Sequence, residues 1–555
     1  MHGRLRVKTT EQQEAEKAIE RQKKLAKYNA GTALLFKKRK ERVYDEETAL
    51  QLSQILAVNP DFYTLWNYRR EIFLHWKAEK SSEYLQQMLK SDLQFTEQCL
   101  GVNPKSYCAW HHRCWVMENM PCPDWEAEIQ LCDRYLKLDG RNFHCWDYRR
   151  FVVAGAGRSA ADELASADRL IETNFSNYSS WHYRSHLLSE LFPASGTATP
   201  IIEDKYLHEL ELVQNAAFTD PSDQAPWFYH RWLLQGRRPA ASILSCSVLR
   251  GGQMARVAVA LSRPARPADV GLTLETGESR VTEWASPTGE SSGTVWVAAA
   301  PAGSTPTAVV MTSSESGAEQ RLACNGPPPA LPSGGAFGSD TSAAAGSLLN
   351  QELDNIWQLG EMEPDNKWVL LSSVVLMWAL DPRQHHDKIL EAVDELMKLD
   401  SLRRGYYRDL RSRFIIERKL ESVRESGLIE LDLSCCHLTA IYHTNHMVAM
   451  TTLDADNNQL RALDLRHLVA TERVTAKANR VRRVSLPPGE LCCLRRLALN
   501  DNDLREVSDL VGEDGPWPSV EELSVTGNPV CEVPGYEEQL KERFPGLKML
   551  NGKAL

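Results

Sequence analysis

Five tryptophans stand at the same place in five near-copies of one phrase, and this repetition constrains the fold more than anything else in the chain. The phrases are NPDFYTLWNYRR from Asn59, NPKSYCAWHHR from Asn103, DGRNFHCWDYRR from Asp139, NFSNYSSWHYR from Asn174 and DPSDQAPWFYHRW from Asp220. Their anchors, Trp66, Trp110, Trp146, Trp181 and Trp227, are spaced by 44, 36, 35 and 46 residues. Units of this length are stacked helix pairs, each unable to bury its apolar face without a neighbour. Ahead of each phrase lies an amphipathic segment, such as ALQLSQILAV or IQLCDRYLKL, with apolar residues at three- and four-residue steps. Each such segment ends in Asn or Asp, followed in three cases by Pro. That pattern predicts helix, tight turn, helix, with Pro in the first turn of the second helix and Asn or Asp capping it.

In four phrases an Arg follows the Trp by three residues: Arg69, Arg113, Arg149 and Arg184. That spacing puts both on one helix face. The Trp is expected to fill the space between layers, and the guanidinium to reach carboxylates or carbonyls. The fifth phrase departs, with Arg231 four residues after Trp227. A sixth, around Trp368, has lost the Arg, and a last pair near Leu390–Leu410 has Tyr406 and Tyr407 in place of Trp.

Composition changes abruptly inside this array. No lysine occurs between Tyr206 and Asn366, and seven short alternating runs, from SILSCSVL to QRLACNG, are separated by Gly, Pro and Ser. They predict an inserted β-sandwich of immunoglobulin-like type with a flexible exit rich in Ala, Gly and Ser. A second repeat begins at Leu431 and recurs at Leu453, Val474, Leu497 and Leu523, in steps of 22, 21, 23 and 26 residues. It fits the leucine-rich pattern, with Asn458, Asn479, Asn502 and Asn528 placed to bond backbone in the next coil and Cys436 in that slot of the first repeat. The expected fold class is therefore multidomain: an α-α superhelix with an inserted β-sandwich and C-terminal leucine-rich repeats. The expected boundaries are helical repeats over 1–237, the insert over 238–346, the helical domain resumed over 347–425 and leucine-rich repeats over 426–555.

Several function classes drop out. The net charge is −10, although residues 1–44 carry a net +8, and an acidic body without a basic stripe argues against nucleic-acid binding. The basic run Lys37–Lys40 reads as a solvated helix face. No apolar run is long enough for a membrane span, and neither a secretory leader nor a prenylation box is read at the ends. The expected location is the cytoplasm. None of the 13 cysteines stands in a Cys-x-x-Cys pair, so a self-contained zinc site has no support.

The Trp-centred phrases resemble the repeats of protein prenyltransferase α-subunits, over nearly all of the helical region. Joined to the insert and the leucine-rich repeats, they are similar to the type II (Rab) geranylgeranyltransferase branch of that family. The resemblance implies an obligate β-subunit that carries the zinc and the isoprenoid pocket, with zinc bound by that partner rather than by this chain. It implies transfer of a geranylgeranyl group from geranylgeranyl diphosphate to C-terminal cysteines of Rab GTPases presented by a Rab escort protein.

The resemblance also singles out Lys105. It stands in a turn slot filled elsewhere by Asp61, Arg141, Ser176 and Ser222, so the repeat itself does not require lysine. Prenyltransferase α-subunits place such a lysine against the isoprenoid diphosphate, with a Tyr two residues on, here Tyr107. His2, on a short terminal segment, is a candidate to reach the partner's zinc. The competing reading is a non-catalytic helical-repeat scaffold that binds peptides or proteins in its groove. Solubility separates the two, because a scaffold is stable alone and an α-subunit needs its β-subunit.

Overall fold

Each repeat folds as a helix pair closed by a turn. The chain divides into two units, 1–191 and 192–555. The structure, a computed structural model, describes residues 11–194, 199–234, 241–249, 255–277, 279–312, 319–324, 343–510 and 515–555. His2 and most of the Ala/Gly/Ser-rich exit lie outside the described residues. In the first unit α1 (Glu11–Lys40) precedes four pairs: α2 (Glu46–Val58) with α3 (Tyr63–Glu79), α4 (Ser82–Val102) with α5 (Tyr107–Asn119), α6 (Trp125–Leu138) with α7 (Phe143–Ala156), and α8 (Ala160–Thr173) with α9 (Tyr178–Leu191).

The Asn or Asp at each turn closes the first helix instead of capping the second, which corrects the expectation. The N–H groups of Asn59, Asn103 and Asp139 donate to the carbonyls of Ile55, Cys99 and Tyr135. Their side-chain oxygens accept from the N–H two residues on, at 3.3, 3.1 and 3.1 Å. This local turn is what short polar side chains favour, and it leaves the proline in the turn rather than in a helix. The second helices are capped by Ser106 and Asn142, and Phe62 provides no side-chain cap.

Tryptophan is needed for more than bulk. The indole N–H of Trp66, Trp110, Trp146 and Trp181 donates to the carbonyl six residues back, at 2.8, 2.9, 2.8 and 2.7 Å. One side chain thus fills the interlayer space and satisfies a turn carbonyl. The arginines bind carboxylates from the next repeat. Arg113 grips Glu128 with two nitrogens at 2.6 and 2.7 Å, and Arg149 grips Glu163 at 2.7 and 2.9 Å. The same carboxylates also accept from the partner helix of their own repeat, Glu128 from the Tyr148 hydroxyl at 2.6 Å and Glu163 from Tyr183 at 3.1 Å. In the first link Asp92 accepts from Arg69 at 2.7 Å and lies 2.7 Å from His112 Nε2. Burial alone would raise the Asp92 pKa, but Arg69 and His112 hold it down at about 2. Each buried carboxylate therefore joins two successive repeats.

In the second unit α10 (Glu203–Thr219) and α11 (Gln224–Leu234) lead into the insert, and α12 (Ala343–Met362), α13 (Lys367–Leu380), α14 (His386–Leu399) and α15 (Arg404–Ser426) follow it. Here the fifth repeat keeps its register: His230 occupies the third position after Trp227, where other repeats carry Arg. Its Nε2 lies 3.0 Å from Glu352 on α12, both side chains being buried. Arg231, one residue on, lies over the Phe228 ring. The His230–Glu352 contact spans the insertion in sequence, so the chain returns to the array it left.

All seven expected strands form: β1 (Ile243–Leu249), β2 (Arg256–Ala265), β3 (Leu272–Thr276), β4 (Ser279–Val281), β5 (Gly293–Ala299), β6 (Ala308–Thr312) and β7 (Glu319–Ala323). They make two antiparallel sheets, ordered β1-β2-β5 and β4-β3-β6-β7. Val257, Val259, Leu274, Trp296 and Val309 fill the core between them. The opposite face of the first sheet packs Ala258, Ala260 and Val297 against Val448, Val469 and Leu491 of the C-terminal region.

That region repeats a short strand and a loop. Its main strands are β8 (Glu430–Asp432), β9 (Thr452–Asp454), β11 (Arg473–Thr475), β13 (Arg496–Ala498), β14 (Glu522–Ser524) and β15 (Met549–Leu550), paired in parallel, with β16 (Lys553–Ala554) antiparallel at the edge. A smaller pair, β10 (Leu463–Asp464) and β12 (Val484–Ser485), stands apart. The repeat asparagines reach the preceding coil, not the next. Asn458 donates to the Leu433 carbonyl at 2.8 Å and accepts from Leu438 N–H at 2.8 Å. Asn479 and Asn502 repeat the pattern one coil at a time. The first repeat has no coil before it, and Cys436 fills its slot. Ile416, Leu420 and Val423 of α15 share the core of this sheet, so α15 closes its open end.

Candidate functional site

Lys105 sits in the turn between α4 and α5, held by its backbone alone. Its N–H donates to Asn103 Oδ1 at 3.1 Å, and the next residue, Ser106, caps α5. The Ser106 hydroxyl donates to Asp61 Oδ1 at 2.6 Å in the preceding turn. In the following turn Asn142 Nδ2 donates to the Pro104 carbonyl at 2.9 Å. Three successive turns are thereby fixed to one another, with the Lys105 side chain left outward. Its ammonium lies 3.6 Å from Asp139 Oδ2, and the two side chains are 66% and 43% exposed. A pair this exposed is worth little, ~1 kcal/mol or less, so the ammonium is free to move to a more highly charged anion.

Tyr107 opens α5 two residues later and is 68% exposed. No partner for its hydroxyl is found among the described residues, and its ring meets the His144 ring edge-on with centroids 4.2 Å apart. The same slot holds Tyr63, Phe143 and Tyr178 in the neighbouring repeats, all exposed. Aromatic character at Tyr107 thus belongs to the repeat, forming a row along the first unit, whereas the lysine beside it does not.

Sequence reasoning missed His144. Its imidazole is buried, and its pKa is lowered, first by that burial and also by Lys105, against the opposing pull of Asp147 and Asp61. It is therefore a neutral ring at pH 7, close to the Lys105 charge. A signal was present, since the corresponding positions are Thr64, Cys108, Ser179 and Ala225. Like Lys105, His144 is therefore a residue that the repeat itself does not require. The site as folded is a mobile cation, an exposed phenol and a neutral imidazole on one turn edge, flanked by Asp61 and Asp139. It offers positive charge and a hydroxyl donor to a polyanion.

Among the described residues no group of three or more His, Cys, Asp or Glu side chains is placed to hold a metal ion. No described helix is long and apolar enough to cross a membrane.

Comparison with known proteins identifies the repeats that carry this edge. The family model described as protein prenyltransferase alpha subunit repeat matches residues 50–76, 89–120, 125–155, 160–191 and 206–237. The geranylgeranyl transferase type-2 subunit alpha of Rattus norvegicus is 40% identical over 573 residues, covering 99% of this chain and 100% of the relative. The Homo sapiens protein of that name is 39% identical over 569 residues, covering 99% of each. The Saccharomyces cerevisiae one is 32% identical over 244 residues, which is 42% of this chain and 72% of the yeast protein.

Proposed function

The chain belongs to the geranylgeranyl transferase type-2 α-subunit family, and from that membership we propose how its turn edge takes part in the reaction. It is an α-subunit of a protein geranylgeranyltransferase of type II. In the proposed assembly a β-subunit packs against the first unit, whose row of Tyr63, Tyr107, Phe143 and Tyr178 offers exposed aromatic surface suited to an interface. The zinc of this chemistry is assigned to that β-subunit. The described residues of this chain do not fit a metal, and no step here depends on one.

In the transfer, the bond from the isoprenoid C1 carbon to the diphosphate oxygen breaks and a bond from a protein cysteine thiolate, its proton having been released to solvent, to C1 forms. The diphosphate leaves with the electron pair. Negative charge grows on the leaving oxygens, and Lys105 supplies the answering charge by moving off Asp139. The Tyr107 hydroxyl donates to the same anion. His144, neutral, adds no competing charge and backs the phenol ring. The observation that carries this reading is the unshared lysine on a rigid set of turns, weakly held by an exposed carboxylate.

The substrates are read as Rab GTPases with C-terminal cysteines, presented by a Rab escort protein, and the setting as cytoplasmic. His2 is kept as a candidate contact to the partner's zinc. The two-sheet insert is read as an immunoglobulin-like sandwich and the C-terminal region as leucine-rich repeats, with boundaries near 237, 346 and 425. The asparagine ladder supports the second reading. Co-expression with the β-subunit tests the assignment: a stoichiometric complex that transfers geranylgeranyl to a Rab–escort complex is expected. A chain that stays monomeric beside the β-subunit and binds short peptides would instead be a scaffold.

A further inference from the structure

Between α14, α15 and the first loops of the C-terminal region lies a cavity of about 440 Å³. Lys398 from α14 and Arg404, Arg408 and Arg411 from α15 line it, with His437 from the loop after β8 and a single carboxylate, Asp394. Arg404, Arg408 and Arg411 recur at four- and three-residue steps, so they share one helix face. Like charges at that spacing disfavour a helix, and α15 has no acidic residue in its first turn to offset them.

The acids nearby are engaged. Asp394 accepts from Arg411 Nε at 3.0 Å, and Glu395 takes Lys398 at 2.6 Å. Asp409 accepts from the Thr439 hydroxyl at 2.6 Å, and Asp400 is shared by Arg403 and Lys367 at 2.7 and 3.4 Å. Arg404 donates through Nε to the neutral Met397 carbonyl at 3.3 Å. Arg408 has no ion pair among the described residues. Two exposed guanidinium groups therefore stand at a concave site without a counter-charge.

The chemistry this selects is narrow. Planar guanidinium forks bind phosphate oxygens in pairs, which a lysine cannot do. The volume suits a small molecule and not a folded partner. A surplus of positive charge in the lining asks for more than one negative charge on the ligand. We propose that this cavity binds a compact, multiply phosphorylated anion, either free in solution or as the headgroup of a lipid.

The test uses the full-length chain purified with its β-subunit. Calorimetric titration with inositol hexakisphosphate reads the free form, and co-sedimentation with phosphatidylcholine vesicles containing phosphatidylinositol bisphosphate reads the lipid form. Saturable binding that weakens with added salt is expected. The Arg404→Gln/Arg408→Gln variant should lose at least ~10-fold in affinity, with prenyl transfer unchanged because neither residue belongs to the Lys105 edge. Binding to vesicles and loss in the variant assigns the site to a lipid; binding of the soluble probe alone assigns it to a free metabolite. Failure of both probes to bind, or equal binding by the variant, overturns the proposal, since any anion would then be held elsewhere.

Discussion

Removing the Glu163 carboxylate should loosen the first unit far more than an ordinary substitution. Glu163 is fully buried on α8 and accepts from Arg149 at 2.7 and 2.9 Å and from the Tyr183 hydroxyl at 3.1 Å. Arg158 Nε lies 3.2 Å from its other oxygen. In Glu163→Ala the Arg149 guanidinium, 1% exposed, keeps only Asp133 at 2.6 Å, whose own side chain is 60% exposed. Stripping one partner from a buried pair costs about 3–5 kcal/mol, and the remaining Asp133 places this case near the lower end. Replacing both ends, as Arg149→Met/Glu163→Leu, leaves no fully buried charge orphaned, since Arg158 and Asp133 both reach solvent, and should cost less than Glu163→Ala alone. A chain of several domains does not unfold in one step, so hydrogen exchange of peptides from α7, α8 and α9 is the appropriate reading. A Glu163→Ala variant within ~0.5 kcal/mol of wild type, or a double variant equal to the sum of its singles, would refute the idea that shared carboxylates join the repeats.

Acid should weaken the C-terminal region through His446, whose pKa is lowered to about 3 by burial first and then by Arg424 and His443, against Glu417. An unfolded histidine titrates near 6.5, so the unfolded chain binds the extra proton between those values. Stability from this residue is complete above pH ~6.5 and is lost as pH falls toward 3. Thermal unfolding followed from pH 7 to 4 should show a steeper fall for wild type than for His446→Gln, which keeps an acceptor for Arg424. Deleting 241–324 alone should uncover Val448, Val469 and Leu491, and deleting 426–555 alone should uncover Ile416, Leu420 and Val423. Both deletions should bind a hydrophobic dye and aggregate, whereas monodisperse protein from either would show those clusters to be dispensable.

Much of the architecture was legible because its causes are local and repeated. The Trp spacing, the Arg three residues on and the seven alternating runs each report a packing requirement that recurs, and the helices and strands fall where those patterns put them. What escaped depended on partners distant in sequence. Asn59 and Asn103 look like caps for the helix ahead, and only the folded turn shows them closing the helix behind. The fifth repeat looked shifted because Arg231 drew attention, while the working residue is His230, whose carboxylate arrives more than a hundred residues later on α12. Asn458 names its repeat in the sequence, but the direction of its bonds is set by which coil is already in place. Lys105 was found through the family resemblance, and its slot shows only that the repeat does not demand a lysine there. The repeat does not demand His144 in its own slot either, and its burial beside Tyr107 is what marks it.

The account turns on Lys105 acting in the chemical step and not in assembly. Its side chain is 66% exposed and makes one weak pair, so Lys105→Ala should leave the fold and the complex with the β-subunit intact. Single-turnover transfer by the purified variant complex, with geranylgeranyl diphosphate bound beforehand, isolates bond cleavage from substrate binding and product release. The expected result is a rate lower by about 10- to 1,000-fold, equivalent to ~1.4–4 kcal/mol of lost stabilisation of the leaving diphosphate. A Lys105→Ala complex that assembles normally and transfers at the wild-type rate would contradict the account, and this chain would then serve the enzyme as a scaffold alone.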